Sequence, residues 1–418
     1  MTLRRLASWS AVNSLVGQRP DRRWGRASLT NPRSDGHSIA DWFEQSPEHR
    51  VKLVREAVLD RKLWAPLLRT YVPKKPGATD LRAIDMPTVL DQAVLYLLND
   101  WLGACAEQVL TRVAVGSRRG LQMHTTLLNV HTLMSTRPFV AVIDIRHFFD
   151  SIEWKLVDRV ISDLPADPEI KELLRALVRV AVVERGSESV VLARRVGVPQ
   201  GLSVSPILAN LVLNEFDAGA GHALSKFGTC MKRYCDDIAV LSPTVGAGNR
   251  AIEIIVDRLS ALGLAIKTGT GQMVDTREHV AVWLGISFGP QGLDVPEATI
   301  EAKASRLQAK VDHGVLDVLG VEDSLVALDQ HYRRIVGPER SQAVVASIKG
   351  KLTFSAPSHT RKVGIDRLRD LVGEHHHRGH ISYGVRPHGK PDGGERHEIG
   401  SSAQSTGKDP DIGRIDQW

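Results

Sequence analysis

The apolar positions change their spacing several times along the chain, and each spacing predicts a different kind of element. Ser46-Pro47, a cap residue followed by proline at the first helical position, predicts the start of a helix. The apolar run Phe139–Asp144 predicts a buried strand that ends on an acid, and residues 230–241 predict two strands joined by a tight turn. From about residue 298 the apolar positions follow a helical spacing only.

Three further segments complete the predicted order of elements. Residues 87–110 carry apolar side chains at helical spacing, and Ser205-Pro206 opens another helix. A second pair of strands is predicted around residues 282–286. Strands mixed with helices and followed by a helical bundle favour an α+β protein.

The composition restricts the class of protein without identifying it. Of the 418 residues, 42% are hydrophobic and 24% are charged, as in ordinary globular proteins. Lysine and arginine exceed aspartate and glutamate by 54 − 48 = 6, which weakly favours a polyanionic partner. The 3 cysteines lack CxxC spacing, so neither a disulfide framework nor a zinc site is indicated. The apolar runs are too short to span a membrane, so a cytoplasmic protein without a membrane partner is expected.

Acidic residues on the predicted strands carry the chemical signal. Asp144 ends one strand, and Asp236 and Asp237 lie in the turn of the predicted hairpin. If these strands are neighbours in one sheet, three carboxylates meet at one edge and repel each other unless a cation binds. Carboxylates and water are the ligands that Mg²⁺ prefers, and two ions about 3.5–4 Å apart are the usual device for nucleotidyl transfer. Taken singly, each acid is more simply explained as an ordinary turn or strand-end residue.

Four segments together resemble the motifs of the reverse transcriptase family. FVAVIDIRHFFDSI at residues 139–152 resembles the first palm motif, with an acid five residues before an aromatic. VPQGLSVSPILAN at residues 198–210 resembles the second motif, and YCDD at residues 234–237 resembles the third. WLG at residues 283–285 is similar to the strand that grips the primer in that family. The resemblance is close over residues 60–290 and looser beyond them.

The resemblance implies an α+β right-hand polymerase, in which fingers and palm carry antiparallel sheet packed on helices and the thumb is small and α-helical. Together with the composition of the two ends, it predicts a division of the chain into five parts. These are a basic N-terminal arm at 1–36, fingers at 37–138, a palm with part of the fingers at 139–297, a helical thumb at 298–375 and a disordered tail at 376–418.

The family's metal site maps onto the three acids. The resemblance implies that Asp144, Asp236 and Asp237 are catalytic and hold two Mg²⁺ ions, with Mn²⁺ as an alternative, and that the backbone carbonyl of Ile145 helps to hold them. The family often places a lysine after a Leu-Gly-Leu segment as a proton donor. This chain has Thr270 at the matching offset, and Lys267 stands three residues earlier, so the role is either shifted or unfilled.

The remaining motif residues are implied to bind the nucleotide. Phe149 would lie under the sugar and exclude a 2′-hydroxyl, while Gln200 and Gly201 would line the nascent base pair. Lys75 and Arg82 resemble the fingers cations that clamp a triphosphate, although a solvated basic turn is the alternative.

Other motif residues are implied to contact primer or template. They are Tyr234 of the hairpin, Arg118 of a fingers loop, and Trp283 and Gly285 of the primer-grip segment. For Arg118 a plain exposed turn is an equal alternative.

The resemblance implies an RNA-directed DNA polymerase that uses deoxynucleoside triphosphates to copy RNA into cDNA. The chain looks most like single-gene bacterial enzymes of phage defence, which implies a structured noncoding RNA, encoded nearby, as partner and template. Alternatives are an intron- or retron-type reverse transcriptase, template-independent or protein-primed synthesis on the same palm, and an idle palm that only binds RNA. The oligomeric state is left open.

Overall fold

The structure is a computed structural model, and it describes residues 1–8, 12, 33–73, 79–184, 190–191, 196–312, 316 and 318–353. Contacts between residues group Met1–Ser355 into one compact unit and Ala356–Trp418 into a second. The second unit, with the predicted tail, lies outside the described residues. The five predicted divisions of the chain therefore stay predictions, although helices and strands follow the expected order.

The N-terminal helices pack on the first hydrophobic core. They are α1 (Leu3–Leu6), α2 (Ile39–Glu44) and α3 (Pro47–Leu59). Ser46 caps α3 by accepting a hydrogen bond from the backbone N–H of His49, as the sequence predicts. Leu3 and Leu6, one helical turn apart, are buried against the core. The first helix therefore packs on the core, and the basic arm at 1–36 stays a prediction.

A four-stranded sheet and a long helix form the region predicted as fingers. The elements are β1 (Leu67–Pro73), β2 (Leu81–Met86), α4 (Val89–Val109), α5 (Met123–Met134), β4 (Val182–Glu184) and β5 (Val190–Val191). The strand order is β2-β1-β4-β5, and the β1–β4 pair is parallel while the other pairs are antiparallel. Because β4 and β5 come from later in the chain, this sheet draws strands from within the range predicted as palm.

A second four-stranded sheet carries the acidic residues. It contains β3 (Phe139–Asp144), β6 (Cys230–Tyr234), β7 (Asp237–Ser242) and β8 (Val274–Asp275) in the order β6-β7-β3-β8, and each neighbouring pair is antiparallel. The bounds of β3 are those of the predicted strand, and the β6–β7 hairpin is the predicted one. Helices follow in chain order: α6 (Phe148–Ser151), α7 (Trp154–Asp163), α8 (Pro168–Val178), α9 (Ser205–Val212), α10 (Asn214–Ser225) and α11 (Val245–Ser260).

The C-terminal part of the described chain is a hairpin sheet followed by three helices. The elements are β9 (Ala281–Trp283), β10 (Ile286–Gly289), β11 (Gly292–Asp294), α12 (Glu297–Asp312), α13 (Val318–Val336) and α14 (Pro338–Gly350). Ile300, Tyr332 and Ile348 pack into a second hydrophobic core with Trp283. The purely helical spacing after residue 298 is thereby confirmed. Within the described residues, no helix is both long enough and apolar enough to span a membrane.

Candidate active site

The register of the central sheet brings the predicted acids to one edge. In the antiparallel pairing of β3 with β7, Asp144 lies directly opposite Asp237. Asp236 precedes β7 in the turn of the hairpin, and its carbonyl accepts a hydrogen bond from the backbone N–H of Ile145 at 3.0 Å. Cys235, the other turn residue, has φ +55°, in the left-handed region that a non-glycine residue seldom adopts. The turn is therefore a tight two-residue connection tied to the end of β3.

The acids at this edge are poorly solvated and repel each other. Burial, together with the neighbouring charges of Asp236 and Asp144, raises the pKa of Asp237 to about 6. Burial also raises the pKa of Asp236, again with a contribution from Asp144. The ammonium of Lys267 opposes both effects. Such an edge favours binding of a cation.

Lys267 lies at the end of β3, although its position in the sequence gave no clear role. Its backbone N–H donates to the carbonyl of Asp144 at 2.7 Å, and its Nζ lies 3.4 Å from Asp144 Oδ2. The loop that carries Lys267 thus places a cation beside Asp144. Whether Lys267 takes the role of the family's lysine or that role is unfilled stays open.

The donor set suits a hard divalent cation, but the three carboxylates do not converge as closely as expected. Among the described residues, no group of three or more His, Cys, Asp or Glu side chains is arranged to share one ion. Asp144 is instead paired with Lys267, which is how unscreened acids relieve their repulsion. Carboxylate oxygens are ligands that Mg²⁺ and Mn²⁺ prefer, and the burial and raised pKa values of Asp236 and Asp237 fit such an ion.

The Pro-Gln-Gly turn contacts the fingers at close range. The backbone N–H of Asp85 donates to the carbonyl of Gln200 at 2.7 Å. Gly201 has φ +110°, and a Cβ there would lie 2.7 Å from the carbonyl oxygen of Asp85. Glycine is therefore required at this position by both conformation and space. Gln200 Nε2 donates to Asp150 Oδ2 at 3.0 Å, so the turn also contacts the first motif.

Phe149 joins the first and second motifs through its backbone. Its carbonyl accepts a hydrogen bond from the N–H of Val198 at 2.8 Å. A Cβ on Gly197 would lie 2.9 Å from the same carbonyl oxygen. The Phe149 ring is half-buried, and its centroid lies 5.2 Å from that of Phe148. The ring is thus held between motif and core, and its role at the sugar stays a prediction.

The predicted phosphate-binding residues lie on the β1–β2 hairpin or outside the described residues. Arg82 is on β2, and its charge partly offsets the rise that burial causes in the pKa of Asp236. Lys75 falls outside the described residues. On the same hairpin, Arg69 donates to both oxygens of buried Asp85 at 2.7 and 3.1 Å.

Arg118 and Trp283 have surroundings that differ from the expected nucleic-acid contacts. The Arg118 guanidinium is nearly buried, donates to both carboxylate oxygens of Glu107, and caps the carbonyls of Thr111 and Ala114. The Trp283 side chain is buried in the second core. Arg118 thus holds its own loop and Trp283 packs in the core, while contacts of these residues with template or primer stay predictions.

Gly285 lies in a tight turn, and Tyr234 packs closely against Gly116. Leu284 and Gly285 have φ +52° and +76°, the left-handed pair of a tight hairpin turn between β9 and β10. Burial raises the pKa of Tyr234, whose ring lies so close to Gly116 that a Cβ there would be 2.9 Å from Tyr234 Cγ. Their contacts with primer or template stay predictions.

Sequence analysis missed the buried arginine of the hairpin. Arg233 immediately precedes the Tyr-Cys-Asp-Asp segment, is fully buried, and forms an ion pair with Asp217. Burial raises the pKa of Asp217, and the charge of Arg233 opposes that rise. The alternation along β6 places Arg233 at an inward-facing position, and this was the available signal. Arginine is rarely buried without a partner, so an acidic partner could have been expected.

Comparison with known proteins agrees with this geometry. The sequence model of the reverse transcriptase (RNA-dependent DNA polymerase) family matches residues 72–287, just over half of the chain. The chain therefore belongs to the reverse transcriptase family, and its fold is that of a right-hand polymerase, as predicted.

The individual relatives are distant, and the matched segments cover only part of each. The group II intron-encoded protein LtrA of Lactococcus lactis subsp. cremoris is 25% identical over 179 residues, which are 43% of this chain and 29% of that protein. Protein YkfC of Escherichia coli (strain K12) is 27% identical over 157 residues, which are 36% of this chain and 40% of that protein. The matched segments thus span well under half of either relative.

A solved structure of apo telomerase from Candida tropicalis, truncated from its C-terminal domain, is also similar. It is 11% identical, with a TM-score of 0.44, over 60% of each chain.

Proposed function

We propose that this protein is an RNA-directed DNA polymerase that extends a primer by metal-assisted nucleotidyl transfer. The observation that carries the proposal is the β3–β7 register, which sets Asp144 opposite Asp237 with Asp236 in the adjoining turn. This arrangement lies inside the segment matched by the reverse transcriptase family. The substrates are deoxynucleoside triphosphates, an RNA template and a primer.

Asp144, Asp236 and Asp237, with the carbonyl of Ile145, hold the ions in this proposal. When bound, two Mg²⁺ ions would activate a primer 3′-hydroxyl and neutralise the departing pyrophosphate. Lys267, 3.4 Å from Asp144, supplies a fixed positive charge beside the acids. Arg82 of the fingers strand β2 supplies a second positive charge, which partly offsets the raised pKa of Asp236. Fixed cations stabilise the charge that develops on the phosphates.

The nucleotide-binding surface is formed where the first and second motifs meet. Gly201 lets the backbone approach closely, and Gln200 lies between the fingers strand β2 and Asp150. Phe149 presents a ring beside these residues and selects the deoxyribose by excluding a 2′-hydroxyl. Lys75 is proposed to bind the triphosphate, as the sequence resemblance implies.

The template that we propose is a structured noncoding RNA encoded near the gene, copied into cDNA as part of antiviral defence. Support for this narrower role is the sequence resemblance alone. The distant relatives include a group II intron-encoded protein, which favours an intron-type enzyme as the second candidate. Sequencing of the RNA and DNA that co-purify with the protein distinguishes the two roles. One dominant RNA with complementary DNA supports a dedicated template, and a broad set of cellular RNAs contradicts it.

Primer extension tests the polymerase activity itself. The full-length protein is incubated with an RNA template, a DNA primer, deoxynucleoside triphosphates and Mg²⁺. Extension by the wild type and its loss in Asp236→Ala with Asp237→Ala is the expected result. The matched control is Glu253→Ala with Asp257→Ala, which removes two exposed acids on α11 and should extend normally. Extension without template would instead support template-independent synthesis, and no extension would favour an idle palm.

A further inference from the structure

A buried arginine connects the acidic turn with three other segments. Arg233 is the fourth residue of β6, stands three positions before Asp236, and has no exposed surface. Its Nε and Nη2 donate to the two carboxylate oxygens of Asp217 on α10. Its Nη1 donates to Asn210 Oδ1 at 3.0 Å and to the carbonyl oxygen of Cys235 at 2.9 Å. One guanidinium thus binds two helices and the turn.

The bond to Cys235 acts on the strained part of the turn. Cys235 has φ +55°, which disfavours a side chain with a Cβ, so this conformation must be held by its surroundings. Arg233 fixes the carbonyl of Cys235, which belongs to the peptide that leads into Asp236. Ile145 fixes the next carbonyl, that of Asp236. The directions of both acidic side chains follow from these two peptide planes.

The other bonds of Arg233 relate the turn to the second motif and to the fingers loop. Asn210, the last residue of the second motif, accepts from Arg233 and donates through Nδ2 to the carbonyl of Gly116 at 2.7 Å. The backbone N–H of Arg233 also donates to the carbonyl of Val113, and its carbonyl accepts from the N–H of Val115, both at 2.8 Å. The segment before Arg118 is therefore held at a fixed distance from the acidic turn.

We propose that Arg233 is a positioning residue for the metal-binding turn, acting through the Cys235 carbonyl, with Asp217 and Asn210 holding its guanidinium in place. This inference rests on the proposed function, because it assumes that Asp236 and Asp237 bind metal. The guanidinium suits this task because it presents several donors in a fixed plane, whereas lysine presents a single mobile charge. The ion pair is not needed for stability as such, since a buried pair can be replaced by apolar residues of similar volume.

The test separates position from stability with two variants of the full-length protein. Arg233→Met with Asp217→Leu removes both charges together, so no buried charge is left unpaired. Arg233→Lys keeps a positive charge beside Asp217 but cannot reach Asn210 and Cys235 together. The matched control is Arg179→Met with Asp158→Leu, which removes a partly exposed ion pair formed by the end of α8 and α7.

Four quantities are measured for each variant: the melting temperature, the affinity for Mn²⁺ without nucleotide, and kcat and KM for primer extension. We expect Arg233→Lys to keep its melting temperature within a few degrees, to bind Mn²⁺ at least tenfold more weakly, and to lose at least tenfold in kcat. Its KM for the nucleotide should change less than kcat. The double variant should show the same losses, and the control variant should show none.

Wild-type Mn²⁺ affinity and kcat in folded Arg233→Lys would overturn the proposal, and they would do so even if the double variant fails to fold. If the wild type binds Mn²⁺ without extending primers, the proposed function fails, and the Mn²⁺ affinities still test Arg233. If the wild type binds no Mn²⁺, the turn is not a metal site and the role of Arg233 is overturned with it.

Discussion

Two arginine–aspartate pairs hold opposite sides of the proposed nucleotide site, and they differ in what they hold. In the palm, Arg233 and Asp217 are fully buried, and the guanidinium also binds the carbonyl before Asp236. In the fingers, Asp85 is fully buried but the Arg69 side chain is 16% exposed. The fingers pair reaches the site through a backbone bond from Asp85 to Gln200.

The two pairs are therefore expected to affect different kinetic constants of primer extension. The palm pair fixes the residues that are proposed to bind metal, so its loss should lower kcat. The fingers pair fixes the turn that is proposed to contact the base pair, so its loss should raise KM for the nucleotide.

The largest expected effect comes from removing one acid on the palm side. Asp237→Asn should reduce primer extension by about 1,000-fold or more, because a metal ligand and its charge are lost. The same change should raise the free energy of unfolding by about 1–3 kcal/mol at pH 7.5 without metal, since a pKa near 6 means that ionised Asp237 destabilises the fold. Extension assays and thermal unfolding check both. A variant that is inactive and less stable would contradict the account.

Arg69→Met removes the ion pair of the fingers. Asp85 then loses the guanidinium that binds both of its oxygens, and a loss of about 3–5 kcal/mol in the free energy of unfolding is expected. Arg69→Met with Asp85→Leu should restore most of this stability while KM for deoxynucleotides stays raised. Unfolding by urea and steady-state kinetics measure the two effects. A fall in kcat at unchanged KM would remove the proposed difference between palm and fingers.

A substitution at Phe149 tests how the site selects between deoxyribonucleotides and ribonucleotides. Phe149→Val shortens the ring that is proposed to exclude a 2′-hydroxyl, and discrimination against ribonucleotides should fall by about 10–100-fold. Incorporation of matched ribo- and deoxynucleotides gives the ratio directly. Phe148→Leu is the control, because Phe148 is fully buried beside Phe149 and should affect stability rather than selectivity. An unchanged ratio in Phe149→Val would refute the sugar gate.

The smallest effect is a pH dependence confined to the palm side. The pKa of Asp237 is raised to about 6 in the folded protein from an ordinary value of 3.8. Between these values the folded state binds more protons than the unfolded state, so stability falls as pH rises. Mn²⁺ competes with the proton, so its affinity should fall by up to about tenfold per pH unit below 6. Affinity independent of pH between 5 and 7 would contradict the assignment.

The palm could be predicted from the sequence because its signals are local. The run Phe139–Asp144 and the hairpin around Asp236 each combine a strand pattern with an acid at a fixed place, and the structure has both elements as predicted. Gly201 and Gly285 could be placed for the same reason, since only certain residues tolerate their conformations.

The connections between distant segments could not be predicted. Arg233 and Asp217 are 16 positions apart on different elements, and nothing in their spacing indicates a pair. Trp283 and Arg118 were expected at the nucleic acid because of their motifs, whereas packing determines that both are buried or paired. Lys267 lies beside Asp144 because of the path of its loop, which the sequence did not predict.

The most direct test of the central claim is a count of bound ions. Mn²⁺ is titrated into the protein with an RNA template, a primer that lacks its 3′-hydroxyl and a matching deoxynucleoside triphosphate. The account predicts two bound ions in the wild type and the loss of both in Asp236→Ala with Asp237→Ala. A wild type that binds none, or a double variant that still binds two, would contradict it.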